Sequence, residues 1–420
     1  MSDRYFKLTF ICSLIGLSFF GLDIIFAQDE IQLPENDQCI ICHKENEILP
    51  EDFHENDVHL KSGPSCAGCH GGNPLKEDME EAMAEEAGFI GTPSKREIPQ
   101  FCGKCHSNIN IMREYQPRIP TDQVEQYYTS LHGMKLKGGD QKVADCSSCH
   151  TAHGILPAKD SRSTVHALNV PLTCKKCHSD PDYMKEYHIP TNQFEQYAES
   201  VHGIALLENQ DTGAPACNDC HGNHGALPPG ISSVSHVCGI CHVNNMQYFS
   251  QTKMAKEFEK LEIHGCEGCH GNHKVLKTND DMVGIGKNSF CTECHAEGEK
   301  GYAEAEMIHA ELMLIVTTYD SAEALRGKVQ RIGMDDIDIN YLLQESHQSL
   351  IKARTLVHTF DHEQVGEKTK EGVDKAQDAI KLAIKEVKDY KTRRLGFGVA
   401  TLFITILVIA MFFKIRQMER

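Results

Sequence analysis

Hydrophobic and polar positions follow different patterns in four stretches of this chain, and each predicts a different kind of structure. At the N-terminus Arg4 and Lys7 precede an apolar run from Leu8 to Phe26, broken by Asp23 and followed after Ala27 by the polar QDEIQ. That is the order of a secretory signal peptide over 1–27, cut near Ala27. Ile25 is bulky for the position three before the cut, so an uncleaved N-terminal anchor is the alternative. Between Cys39 and His295 long amphipathic helical patterns are scarce, and a chain rich in Gly, Pro, Asn and short polar connections predicts a loop-rich stretch. From Gly301 to Thr392 the pattern changes. Apolar positions recur every three or four residues in three runs: Ala305, Ile308, Leu312, Ile315, Tyr319; Ile339, Leu343, Ser346, Leu350, Ala353, Val357, Phe360; and Val373, Ala376, Ile380, Ala383, Val387, Tyr390. These predict helices with one buried stripe each, broken near Arg326 to Asp338 and near Asp361 to Gly372, and together an antiparallel bundle over 299–392. The last stretch, LGFGVATLFITILVIAMFF from Leu395 to Phe413, is nineteen residues without charge and predicts a transmembrane helix within 393–420.

Cysteine placement says what fills the loop-rich stretch. Cys-x-x-Cys-His begins at Cys39, Cys66, Cys102, Cys146, Cys174, Cys217, Cys238, Cys266 and Cys291, which uses eighteen of the nineteen cysteines and leaves only Cys12 in the N-terminal apolar run. Structural zinc, a disulfide framework and thioredoxin-like redox pairs all use CxxC. None of them requires histidine directly after the second cysteine. The repeated five-residue motif reads as c-type haem attachment. Two residues between the cysteines let Cys39 and Cys42, Cys66 and Cys69, Cys102 and Cys105, Cys146 and Cys149, Cys174 and Cys177, Cys217 and Cys220, Cys238 and Cys241, Cys266 and Cys269, and Cys291 and Cys294 reach the two vinyl groups on one porphyrin edge. The next residue lies under the ring, so the predicted proximal ligands are His43, His70, His106, His150, His178, His221, His242, His270 and His295. Nine covalent haems would supply the buried apolar surface that such loop-rich chains otherwise lack.

Distal ligands decide between electron transfer and substrate binding, because an open sixth position admits substrate. Three motifs continue as CHxxH, giving His153, His224 and His273; each is too close to its own proximal histidine to clamp the same ring and is expected on another haem. A second series comes from an internal repeat of about seventy residues, MREYQPRIPTDQVEQYYTSLHG against MKEYHIPTNQFEQYAESVHG. Its shared ending, aromatic-x-x-Ser-x-His, gives His132 and His202, and the shorter HENDVH gives His59. In the fourth unit FSQTKM puts Met254 at this place, as a thioether ligand that raises the potential or as a packing residue. His54, His166, His188, His236, His264 and His309 remain as candidates, and His309 follows the ninth motif closely enough to cap its haem. His358 and His362, spaced i and i+4, read as a solvated helix face rather than a metal pair, since no carboxylate or cysteine pattern accompanies them.

The formal charge is −18 and nothing basic enough for nucleic acid is present. The run EDMEEAMAEE from Glu77 to Glu86 reads as a solvated face, or as a docking patch for a basic redox partner.

With these motifs, the SLHG and SVHG endings and the CHGNH segments at His221 and His270, the stretch from Gln38 to His295 resembles membrane-anchored multihaem cytochromes c of the doubled-CXXCH class. The resemblance implies a mainly α fold with extensive loops wrapped around a haem chain, here a nonahaem domain over 28–298. It implies electron transfer between a quinol-linked membrane partner and a soluble or outer redox protein, and it leaves oligomerisation open. In related cytochromes the aromatic-x-x-Ser-x-His element supplies a distal ligand, and Met254 departs from it. The expected location is the cytoplasmic membrane with haems facing the periplasm and KIRQMER in the cytoplasm. The competing expectation is a multihaem oxidoreductase with one open haem acting on a small nitrogen or sulfur compound.

Overall fold

A computed structural model of the chain describes residues 36–225 and 234–419; the signal-peptide expectation over 1–27 lies outside the described residues. The described residues are helical and loop-forming, without strands. The described residues form two compact units, 36–124 with 132–166, and 125–131 with 167–225 and 234–419. The C-terminal helices therefore share a unit with the fifth to ninth motifs.

Most CxxCH motifs sit in or at the end of a short helix, among them Gln38–Glu45, Cys66–His70, Ile98–His106, Cys146–His150, Val170–His178 and Cys217–His221. In an α-helix positions i, i+3 and i+4 share one face, so both sulfurs and the imidazole point the same way. Local chemistry starts these helices. Asp37, 3% exposed, caps the first by accepting from Cys39 N–H and Ile40 N–H, Asp145 and Ser148 form a capping box, and prolines occupy the first turns of Ile98–His106 and Val170–His178. After His70 the chain must turn at once. Gly71 does so with φ 71°, and a Cβ there would lie 1.9 Å from the Gly88 carbonyl oxygen, so no other residue fits.

Three long helices follow: Lys300–Arg331, Ile337–Leu356 and His362–Met418. Each buries its predicted stripe. Ile308 and Leu312 of the first pack with Ala353 of the second and Val365 of the third, Ile315 packs with Leu350 and Val373, and Ala322 and Val329 pack with Ile339, Leu343, Ala376 and Ala383; Ala305 is buried as well. Full burial of such aliphatic chains contributes about 1.5–3 kcal/mol each for the larger ones. The second break differs from the expectation. It is confined to a 3-10 turn, Val357–Thr359, then Phe360 with left-handed backbone and Asp361, which caps the third helix through Glu363 N–H and Gln364 N–H. Gly366 and Gly372 lie inside that helix, and Gly372 is there because Ile315 and Ser349 approach too closely for a side chain. The third helix then runs for 57 residues without a break, and its apolar end from Leu395 is exposed throughout.

Candidate haem centres

In the first unit, segment 52–59 docks on segment 152–155 through two carboxylates. Asp52 accepts from Ala152 N–H, His153 N–H and the His153 ring, at 2.9, 3.1 and 3.0 Å. Asp57, 4% exposed, accepts from His59 N–H, the His59 ring and Ile155 N–H, at 2.7, 3.1 and 2.7 Å. Burial alone would raise both carboxyl pKa values, but these donors outweigh it and hold both below the ordinary carboxylate range. Gly154 permits the fit, since a Cβ there would stand 2.4 Å from the Asp52 carbonyl oxygen.

The histidines of this segment face motif histidines. The ring centres of His59 and His106 are 6.1 Å apart, and those of His153 and His70 are 6.2 Å apart with the rings nearly parallel. In the second unit His202 faces His242 at 6.3 Å, His273 faces His221 at 5.9 Å, and His358 faces His270 at 6.2 Å. Two imidazoles bound on opposite sides of one metal, each with a bond of about 2 Å, place their ring centres about 6 Å apart. All five pairs meet that condition, and each joins one CxxCH histidine to one histidine from elsewhere.

Ring nitrogens are assigned by their partners. His70 Nδ1 lies 2.8 Å from the Gly91 carbonyl oxygen, His358 Nδ1 lies 3.0 Å from the Thr355 carbonyl oxygen, and His59 and His153 use Nδ1 toward carboxylates. Those oxygens can only accept, so Nδ1 carries the proton and Nε2 keeps its lone pair for a metal. Desolvation lowers the pKa of His132, His202, His221, His270, His273 and His358, which favours the neutral, ligating form. The residues present thus fit haem, with a thiol pair and an imidazole on one helix face and a second imidazole opposite.

The thiols are arranged in chain order. In the first unit Cys39 lies beside Cys66, Cys69 beside Cys102 and Cys105, and the Cys102 and Cys146 thiols are hydrogen-bonded. In the second, Cys174 bonds Cys217, Cys220 lies beside Cys238 and Cys241, Cys238 bonds Cys266, and Cys269 lies beside Cys291 and Cys294. Within each unit every motif therefore adjoins the next. Burial first, then these neighbours, pushes Cys69, Cys220 and Cys269 up to about 11, and burial followed by the Asp37 carboxylate does the same to Cys39. Among the described residues no three His, Cys, Asp or Glu side chains converge as a tetrahedral zinc site would need.

The second-ligand element has one repeated construction. A capping residue stands two positions before the ligand and bonds back to the aromatic or histidine carbonyl: Ser130 to Tyr127, Ser200 to Tyr197 and Thr252 to Phe249, at 2.6, 2.6 and 2.7 Å. Asp57 performs the same turn with its backbone N–H on the His54 carbonyl. Met254, half-buried in Lys253–Lys260, thus occupies the place of His132 and His202. The remaining expected residues are placed as follows. His150 and His178 end their motif helices, His43 lies within Gln38–Glu45, His224 is in the exposed turn after His221, and His295 follows the turn Cys291–Glu293. His309 makes no ring contact with His295; its Nε2 faces Asp281 at 4.0 Å and its ring lies over Gly284. His358 is the residue the sequence reading missed. Its solvated-face expectation suits His362, whose Nδ1–H bonds Glu304 at 2.9 Å, but His358 is turned against His270. Only its spacing after an amphipathic run marked it, and no motif linked it to His270.

Comparison with known proteins agrees with this chemistry over part of the chain. The chain is 23% identical over 232 residues to the multiheme cytochrome MtrA of Shewanella baltica (strain OS185), which covers 53% of this chain and 56% of that protein, so the chain spans little more than half of the relative's length. No solved structure matches. The cytochrome c3 family profile matches residues 58–179, a segment holding the second to fifth motifs. Over that segment the chain resembles a multihaem cytochrome c, a kind of protein that binds haem c covalently and carries electrons.

Proposed function

We propose that this protein is a membrane-anchored electron carrier with nine covalent c-type haems, relaying electrons between a quinol-linked partner in the cytoplasmic membrane and another redox protein in the periplasm. The observation that carries this reading is the set of five imidazole pairs about 6 Å apart, each combining a motif histidine with a second one. Bound haem c supplies an iron that alternates between ferric and ferrous states. The chain's part is to occupy both axial positions, which excludes substrate, and to hold neighbouring motifs side by side in chain order. His132 and His224 serve as further distal ligands, and the last of the nine irons takes its second ligand from His54, His166, His188, His236 or His264. Met254 serves the His295 iron. It is 41 positions before His295, against 47 for His59 and His106 and 40 for His202 and His242. The apolar end of His362–Met418 anchors the protein, and the nine haem edges carry charge away from the membrane.

Low-temperature EPR with near-infrared magnetic circular dichroism on the purified holoprotein tests this. Nine low-spin irons are expected, one with a methionine-to-iron band that disappears in Met254→Ala. If the ninth iron is bis-histidine instead, His309 holds it and the methionine assignment fails. A high-spin iron that shifts on addition of nitrite or hydroxylamine would make the protein an oxidoreductase and overturn the carrier reading.

A further inference from the structure

The turn joining the second and third bundle helices meets the motif-bearing residues of the same unit at three points. Arg354, in the last turn of Ile337–Leu356, donates from Nε and Nη2 to the two carboxylate oxygens of Asp280 at 2.8 and 2.7 Å. Phe360, with φ 51°, sets its ring edge-on to Phe249, ring centres 6.3 Å apart at 76°. Phe249 is itself confined, because Gly265 lies so close that a Cβ would stand 2.5 Å from the Phe249 ring. Between these two anchors stands His358. Its ring centre is 6.2 Å from that of His270 at an interplanar angle of 27°.

Four other pairs with this separation each join a CxxCH histidine to a second imidazole. The second histidine of the eighth motif, His273, is turned to His221, so His270 must find its counterpart elsewhere. His358 is prepared for that role. The Thr355 carbonyl fixes the proton on Nδ1 and leaves Nε2 as a lone-pair donor, the arrangement that ordinarily orients a metal-bound histidine. The two flanking anchors, an Arg–carboxylate fork and an aromatic contact, hold the turn on either side of the ring, as a ligand site requires of its support.

We propose that His358 is the sixth ligand of the iron attached through Cys266 and Cys269 and bound by His270, so that the helical bundle completes a haem site instead of only carrying one. The inference rests on the haem reading above and adds to it a specific bond between the anchor and the eighth haem. The bundle then cannot detach from this part of the cytochrome without changing the spin state of one iron.

The test uses the full-length holoprotein in detergent, with haems counted from the intact mass. His358→Ala should keep every covalent haem, convert one low-spin iron to high-spin, and return to the wild-type spectrum on addition of imidazole. His358→Met should show a new methionine-to-iron band and one raised midpoint potential. His362→Ala, which breaks only the nearby bond to Glu304, should leave the spectra unchanged. Rescue by free imidazole separates a missing ligand from a disturbed fold. If the alanine variant does not accumulate, the methionine variant decides, since its band forms only where position 358 faces iron. An unchanged low-spin count at full haem loading, with no methionine band, would overturn the inference. A wild-type protein without covalent haem would overturn the haem reading first, and the mass alone would show it.

Discussion

All three bundle helices meet at Gly372, where a methyl group has no room. A Cβ there would lie 2.1 Å from Ile315 Cδ1 and 2.9 Å from Ser349 Cβ. Ile315 is 0% exposed, so its tip has no free space to swing into, and the Ser349 Cβ moves only with its helix. Gly372→Ala sets two effects against each other. Removing glycine from a helix interior gains about 1 kcal/mol. Overpacking a dense core costs about 1–3 kcal/mol, and two contacts well inside van der Waals separation put this site in the upper half of that range. The expected net destabilisation is about 1–2 kcal/mol. Gly366 provides the control, because its Cβ would meet only the Glu311 carboxylate at 3.3–3.5 Å, the far end of a flexible side chain. Gly366→Ala should stabilise by about 0.5–1 kcal/mol. Hydrogen exchange by mass spectrometry on peptides from Lys300–Arg331 and Ile337–Leu356 reads bundle opening in the intact holoprotein. Exchange should accelerate about 5- to 30-fold in Gly372→Ala and slow about two- to fivefold in Gly366→Ala. Effects of the same sign at both sites would refute the packing argument.

Three further outcomes are expected. Asp57→Asn replaces one accepting carboxylate oxygen with an NH2 group that faces an N–H donor and leaves it without an acceptor; leaving one buried donor unpaired costs about 1–3 kcal/mol, and the His59 ring loses its carboxylate. Spectropotentiometric titration should show one midpoint raised and the rest unchanged, and an unaltered set would contradict the assignment of His59. The hydrogen bond that the His362 ring donates to Glu304 raises the pKa of His362, so its contribution is present below the unfolded value of about 6.5 and is lost as pH rises through the folded value. Exchange protection at the start of His362–Met418, corrected for intrinsic rates, should fall as pH rises above about 6.5 in the wild type and stay level in Glu304→Gln. Deleting Leu395 to Arg420 should give a detergent-free protein with an unchanged haem count that no longer couples to quinol; retention in membranes would place the anchor elsewhere.

The sequence made some features legible because they are local. A CxxCH helix needs only five consecutive residues, and the stripes Ile308, Leu312, Ile315 and Ile339, Leu343, Leu350 follow directly from helical period. That a CHxxH histidine turns toward a distant motif was also within reach, since three residues leave little room to clamp one ring from both faces; in the structure His153 faces His70 and His273 faces His221. His358 was not legible. Its counterpart is 88 positions earlier, and what brings them together is the Arg354 fork and the Phe360 contact, neither of which leaves a periodic or motif signal. The second helix break was drawn too long for a related reason. Gly366 and Gly372 read as helix breakers by propensity, whereas Gly372 answers to the approach of Ile315, a tertiary demand.

Under the anchoring and the donor proposed above, the continuous helix His362–Met418 has a kinetic consequence. Its polar portion, from His362 to Arg394, is about 50 Å long at 1.5 Å per residue, and the bundle packs directly along it, with no slack tether between. A cytochrome on a flexible leash explores a hemisphere and meets partners at many heights. One mounted on a stiff mast works instead as a reactant in two dimensions, held at a fixed elevation over the bilayer. Its encounter rate with an anchored donor then scales with lateral density and in-plane diffusion, and the mast itself selects donors whose exit site stands at the matching height.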